Sequence, residues 1–228
     1  MILLTTDDVL AVAKPAGVSM ATSSRAGRSE EEIVGRLLDA CGVPAGPLFL
    51  VHRLDVGTSG VVLLARSAAA HRRLSLAFQE RRALKTYRAL VWGHPVPARG
   101  VLDVPLARDP RDGRKMRAEK GGKPAVTRYA TLRRFPGLAD IELHPETGRT
   151  HQIRVHLAAK GHPVVGDDLY GGARRWRGVR DRTLREAISR VAHPLLHAAR
   201  IEVPALGIDV TAPLPDDYTA VLFALSRA

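Results

Sequence analysis

The sequence predicts an α+β fold, and three observations carry this. Apolar runs of strand length alternate irregularly with amphipathic stretches of helical period, without a regular βαβ rhythm. No Gly-rich phosphate loop joins a strand to a helix. No internal repeat and no linker long enough to divide the chain is present, so a single domain over 1–228 is expected.

Residues 1–20 read as a hairpin, with Ile2-Leu3-Leu4, an Asp7-Asp8 turn and Val9 to Ala13, closed by Lys14-Pro15-Ala16-Gly17. Residues 21–28 are polar and read as a loop. Ser29 is an N-cap with Glu32 in capping-box position, opening a helix that buries Ile33, Leu37 and Leu38. Cys41 to Pro47 is a Gly- and Pro-containing loop. Leu48 to Val51 and Val61 to Ala65 read as buried strands on either side of a polar connection. Ser67 to Leu84 reads as a helix with Leu74, Ala77, Phe78 and Arg81 on one face.

Lys85 to Trp92 alternates as a strand does. Residues 93–124 are rich in Pro, Gly and Arg, with one short apolar piece at Val101-Leu102. Strands are expected at 125–133 and 138–144, then a helix from Arg149 to Lys160 stopped by Gly161. A short helix near 182–191, strands at 196–203 and 207–212, and an amphipathic helix from about Asp216 complete the order.

Composition excludes several classes. No apolar run approaches the roughly 18–20 residues that span a bilayer. The opening MILLTTDDVL has no basic stretch, so no secretory leader is expected. Cys41 is the single cysteine, which excludes an internal disulfide framework and a Cys-based zinc site and fits a reducing, cytoplasmic setting. The net charge of +12 is concentrated: Arg108–Arg134 carries a net +7 and Gly171–Arg190 a net +5. Such clustering is the footprint of a polyanion binder, although one basic run alone is as often a solvated surface.

The most informative stretch is His52 to Gly60, HRLDVGTSG. It sets a charged cluster, His52-Arg53-Asp55, between two apolar runs, as a scaffold does when it presents reactive side chains. By itself, an aspartate in such a connection is more often a turn or capping residue.

This stretch resembles the signature of the RluA-type pseudouridine synthases, HRLD followed after two residues by TSG. GRTHQIRVHLAAKGHPVVGDDLYGG, Gly148 to Gly172, resembles a second family pattern, and VLAVAKPAGVSM, Val9 to Met20, the family's first strand and turn. The resemblance runs from about residue 8 to about residue 217. It implies a central, largely antiparallel mixed sheet with flanking helices and an active-site cleft. It also implies an isomerase that breaks the bond between uracil N1 and ribose C1′ and joins C5 to C1′, with no cofactor and no metal.

The resemblance places Asp55 as the catalytic carboxylate, which attacks C1′ or assists loss of the base. It makes Arg154, in THQIRVH, the cation that pairs with that aspartate, whereas periodicity alone reads Arg154 as a solvent-facing helix residue opposite Ile153 and Leu157. Tyr87, in the K-x-Y-x-A segment Lys85 to Ala89, is implied to stack on uracil and take part in proton transfer. Arg53 is implied to enter the RNA where the target base has been extruded. His52 is grouped with it, though a structural hydrogen bond is its favoured role. Leu196, in the LLHA segment, is implied to pack against the tyrosine in the base pocket.

The RNA grip is expected from the basic segments. In one, Arg114, Lys115, Arg117 and Lys123 would track phosphates as a flexible loop. In the other, Arg174 and Arg175 flank Trp176, which can stack on a base. His144, His151, His156 and His162 match no standard zinc spacing. Asp167-Asp168 reads as loop structure.

Many relatives carry a small RNA-binding domain ahead of the catalytic one, and the chain is expected to begin directly at the latter. That favours a compact target such as a tRNA stem-loop over large-subunit rRNA, both being compatible. Val203-Pro204 stands where relatives often keep His-Pro. A cytoplasmic monomer is expected. The rivals are a basic RNA-binding protein without catalysis and, more remotely, a hydrolase using Asp55 with His52 and Ser59, which lacks a nucleophile elbow.

Overall fold

The computed structural model describes residues 1–20, 29–44 and 47–227. The loop expected at 21–28 lies outside the described residues. In chain order the elements are β1 (Ile2–Thr5), β2 (Val9–Lys14), α1 (Glu30–Cys41), β3 (Phe49–Leu50), β4 (Ser59–Ala65), α2 (Ala68–Gln79) and β5 (Leu84–Trp92). Then follow β6 (Arg99–Asp103), β7 (Leu106–Arg108), β8 (Met116–Ala118), β9 (Val126–Phe135), β10 (Leu138–Pro145) and α3 (Gln152–Ala159). The chain closes with α4 (Arg182–Ser189), β11 (Leu196–Val203), β12 (Ile208–Thr211) and α5 (Asp216–Leu225). This is an α+β fold with mostly antiparallel strand pairing. It divides into two compact units, Met1–Lys85 with Ala198–Pro213, and Thr86–His197 with Leu214–Ala228.

In the first unit β1, β2, β4 and β11 are neighbours in that order, with β3 added to β4 and β12 to β11. Val9 to Val12 and all of β4 are buried, as expected of apolar runs that face packed layers on both sides. The core joins Val9, Ala11, Val61 and Leu63 to Leu74 and Ala77 of α2 and to Ile201, Val203 and Val210. Ser29 caps α1 through the expected box, and Gly42 at φ 66° ends the helix just past Cys41. Ser67 caps α2, which ends at Gln79, well short of Leu84. Arg81 therefore leaves the expected helical face and turns the chain at φ 58°. The strand expected over Leu48–Val51 is only two residues long and half exposed, because it pairs with β4 alone at its end.

In the second unit the order is β5, β10, β9, β6. One core cluster packs Ala89, Val91, Ile141 and Leu143 against Ile153 and Leu157 of α3. Another packs Leu90 and Leu138 against α4 and α5. Tyr218 of α5 is fully buried, and its hydroxyl donates to Asp140 Oδ1 (2.9 Å), which also accepts from Arg88 Nε (3.1 Å). The stretch 93–124, in which only the apolar piece Val101-Leu102 stood out, holds three strands. Arg99 to Asp103 pairs with β9, and β7 pairs with β8 as a hairpin. Their brevity and their Pro, Gly and Arg content hide the alternation that marks longer strands.

Candidate active site

Asp55 sits on a tight turn in the first unit. Thr58 N–H donates to the Asp55 carbonyl (3.0 Å), and the buried Leu54 anchors the turn from the other side. The next residue, Val56, gives its carbonyl to Gly17 N–H (2.8 Å) and to Lys14 Nζ (3.3 Å). The KPAG turn thus grips the Asp55 loop. Thr58 and Ser59 are buried, while Asp55 is half-buried and Arg53 exposed.

Lys14 is the residue sequence reasoning missed. It is 1% exposed, and its ammonium also donates to the Pro15 carbonyl (2.9 Å). Burial lowers its pKa to about 8, a loss that the charges of Asp55 and Cys41 partly offset. A lysine ending an apolar strand run, directly before Pro-Ala-Gly, was the available signal.

His52 is not presented outward with Arg53. Its Nε2 accepts the Leu63 N–H (3.0 Å), and its ring stacks on Phe78 (4.6 Å between centroids). Desolvation, with the like charge of Lys85 second, pulls the imidazole down to about 3, so it is neutral and structural. The bond to Leu63 is the structural role favoured for His52 over a place among the RNA-facing residues.

In the second unit Tyr87, on β5, is half-buried and packs against the cluster that contains Leu196. Arg154 lies on α3, which starts three residues later than expected because His151 takes a left-handed conformation (φ 54°). The expected polar face of that helix does not exist: Gln152 to Leu157 are all buried. Gln152 and His156 tie α3 to β9. Gln152 Nε2 donates to the Val126 carbonyl (2.9 Å), and His156 bonds Thr127 Oγ1 (3.0 Å) and the Val104 carbonyl (2.9 Å). Arg154 is then held by Asp167, with Nε to Oδ2 at 2.7 Å and Nη2 to Oδ1 at 2.8 Å.

The basic residues fall in two places. Arg108–Lys123, expected as a flexible loop, is the β7–β8 hairpin, closed by backbone bonds between Leu106 and Lys123. Arg114 pairs with Asp112 and Arg117 with Glu119, while Lys123 is exposed and Lys115 half-buried. Arg174 and Arg175 are exposed, but Trp176 packs against the cluster containing Leu184 and Ile188. Of the four histidines weighed for metal binding, His144 bonds Glu142, His162 bonds the Trp92 carbonyl and His151 bonds Tyr170. Among the described residues no group of His, Cys, Asp or Glu is arranged to hold a metal ion.

The fold and these sequence patterns place the chain in a uridine-isomerising class of enzyme, as comparison with known proteins shows. The model of the RNA pseudouridylate synthase family matches residues 8–159. The chain is 36% identical over 222 residues to the dual-specificity RNA pseudouridine synthase RluA of Escherichia coli, covering 96% of this chain and 94% of that protein. It is 34% identical to the ribosomal large subunit pseudouridine synthase D of Pseudomonas aeruginosa, over 97% of this chain and 70% of the relative. An uncharacterized RNA pseudouridine synthase of Mycobacterium tuberculosis is 43% identical over 176 residues, and there the match spans only 56% of the relative's length. Among solved structures, human RNA pseudouridylate synthase domain containing 4 superposes with a TM-score of 0.76 at 28% identity, covering 99% of this chain and 92% of the other.

The chain belongs to the RNA pseudouridylate synthase family, in its RluA-type branch. It is an isomerase that converts uridine to pseudouridine in RNA. Nothing in these likenesses favours the non-catalytic alternative.

Proposed function

We propose that the chain modifies uridine in tRNA or large-subunit rRNA, as a cytoplasmic monomer whose two compact units serve one catalytic domain. The name of the Pseudomonas relative supports ribosomal RNA as one such target. No described helix is long and apolar enough to cross a membrane.

Asp55 is the catalytic carboxylate, acting on ribose C1′ by attack or by assisting loss of the base. The observation that carries this is its place on a turn gripped by the KPAG backbone and by the buried ammonium of Lys14. Such a mounting fixes a reacting group without a loop free to wander. Tyr87 stacks on the uracil and takes part in proton transfer, with Leu196 shaping the pocket wall. Arg154 supplies the cation for the catalytic aspartate. Arg53, exposed beside Asp55, enters the RNA where the base has left. Arg174, Arg175, Lys115 and Lys123 contribute phosphate contacts, with Arg114 and Arg117 engaged first by their own carboxylates.

The experiment is tritium release from RNA labelled at uridine C5, since C5 loses its hydrogen when it bonds to C1′. Release by the wild type from tRNA or rRNA names the substrate. Asp55→Asn is expected to abolish release and Arg154→Ala nearly to do so. Undiminished release by a folded Asp55→Asn variant would overturn the assignment.

A further inference from the structure

We infer that Asp167 and Tyr170 are positioning residues for Arg154, and that the segment Gly166 to Gly172 is built to aim that guanidinium. The inference rests on the reading of Arg154 as the cation that serves the reaction.

The pair is two-pronged and buried. Nε and Nη2 of Arg154 reach both carboxylate oxygens of Asp167, and the two side chains are 7% and 0% exposed. Two parallel bonds fix the plane of a guanidinium as one bond cannot. The Tyr170 ring takes one face of it, with Arg154 Cζ 5.0 Å from the ring centroid. Rotation of the guanidinium about its long axis is thus opposed by the carboxylate, and tilt by the ring.

Both partners are themselves fixed. Asp167 Oδ1 accepts the Tyr170 N–H (3.2 Å), and the Asp167 carbonyl accepts from Gly172 N–H (2.7 Å) and Ala173 N–H (3.1 Å). The Tyr170 hydroxyl accepts from Met116 N–H (2.9 Å) and is hydrogen-bonded to Nδ1 of His151 (2.8 Å). His151 is the left-handed residue that opens α3, the helix that carries Arg154.

The glycines make this tight course possible. A Cβ at Gly166, where φ is 81°, would lie 2.1 Å from the His193 carbonyl oxygen, and one at Gly172 would lie 1.7 Å from that of Val164. A buried ion pair is often no more stabilising than apolar residues of like volume. Its retention here, with a second layer of bonds around it, points to geometry as what the segment supplies.

The test uses the full chain, with single-turnover tritium release and RNA retention measured separately for Asp167→Asn, Asp167→Glu and Tyr170→Phe. Asp167→Asn is expected to lower the rate by about 30-fold, and Tyr170→Phe by about 5-fold, with RNA affinity within about twofold. Asp167→Glu restores the charge and should recover part of the rate. In the Arg154→Ala background, measured on its residual rate, neither change should add a further loss.

Wild-type rates in Asp167→Asn beside a crippled Arg154→Ala would overturn the positioning role and leave the reading of Arg154 intact. A normal rate in Arg154→Ala would instead remove that reading. Losses that multiply with Arg154→Ala, or that appear equally in RNA retention, would make the segment a structural staple only. Should Asp167→Asn fail to fold, Tyr170→Phe carries the same comparison.

Discussion

Gly60 lies flat against the backbone of Ala198. It pairs with Lys14 across β2 and β4, adopts φ 119°, and a Cβ there would stand 2.2 Å from the Ala198 carbonyl oxygen. The glycine of the TSG pattern and the alanine of LLHA are therefore two sides of one close approach. Neither a side chain nor an ordinary backbone angle fits at residue 60. Gly60→Ala is expected to cost about 3 kcal/mol or more, since the obstacle is backbone that cannot rotate away. Urea denaturation measures it, and a midpoint equal to the wild type would contradict the close approach.

His52 makes stability acid-sensitive. The unfolded imidazole takes a proton below about 6.5, whereas the folded one resists until about 3, because burial and Lys85 oppose its charge. The stability it contributes is present above pH 6.5 and is lost as pH falls toward 3. His52→Gln keeps an acceptor for the Leu63 N–H but cannot titrate. Relative to that variant, the wild type should lose about 3 kcal/mol between pH 7 and pH 4. Parallel stability curves for the two proteins over this range would show that His52 is not held neutral.

Tyr87→Phe keeps the ring and its packing against the Leu196 cluster but removes the hydroxyl. RNA binding should be retained, with turnover stalled after the first steps. Filter retention combined with single-turnover tritium release separates the two. Equal release rates would remove the hydroxyl from the proton transfers.

Arg174 and Arg175 are exposed beside a half-buried tryptophan that packs against the core. Replacing both with alanine should flatten the plot of log affinity against log salt by about 1 for each phosphate that these arginines neutralise, with turnover at saturating RNA unchanged. An unchanged slope would move the phosphate-binding role to the β7–β8 hairpin or elsewhere.

The legible part of this protein was local. β11 fell where the apolar pattern put it, and Ser29 and Ser67 capped the helices they precede, because strand alternation and caps are written within a few residues. The strands between 93 and 124 were missed because each is too short to show a period. The length of α3 was overestimated because a left-handed His151 cannot be read from a sequence that is otherwise helical.

The chain's order of residues, by itself, determined the α+β class, the HRLD–TSG turn with Asp55 on it, the K-x-Y-x-A strand with Tyr87, and the concentration of charge in two segments. Tertiary structure alone decided that Lys14 is buried beneath the Asp55 loop, that His52 is neutral against Phe78, and that Asp167 clamps Arg154. The reason is physical. Period and caps act through neighbours in sequence, whereas the partner of a buried polar group is whichever group the packed register brings within bonding distance, and a buried charge must find one.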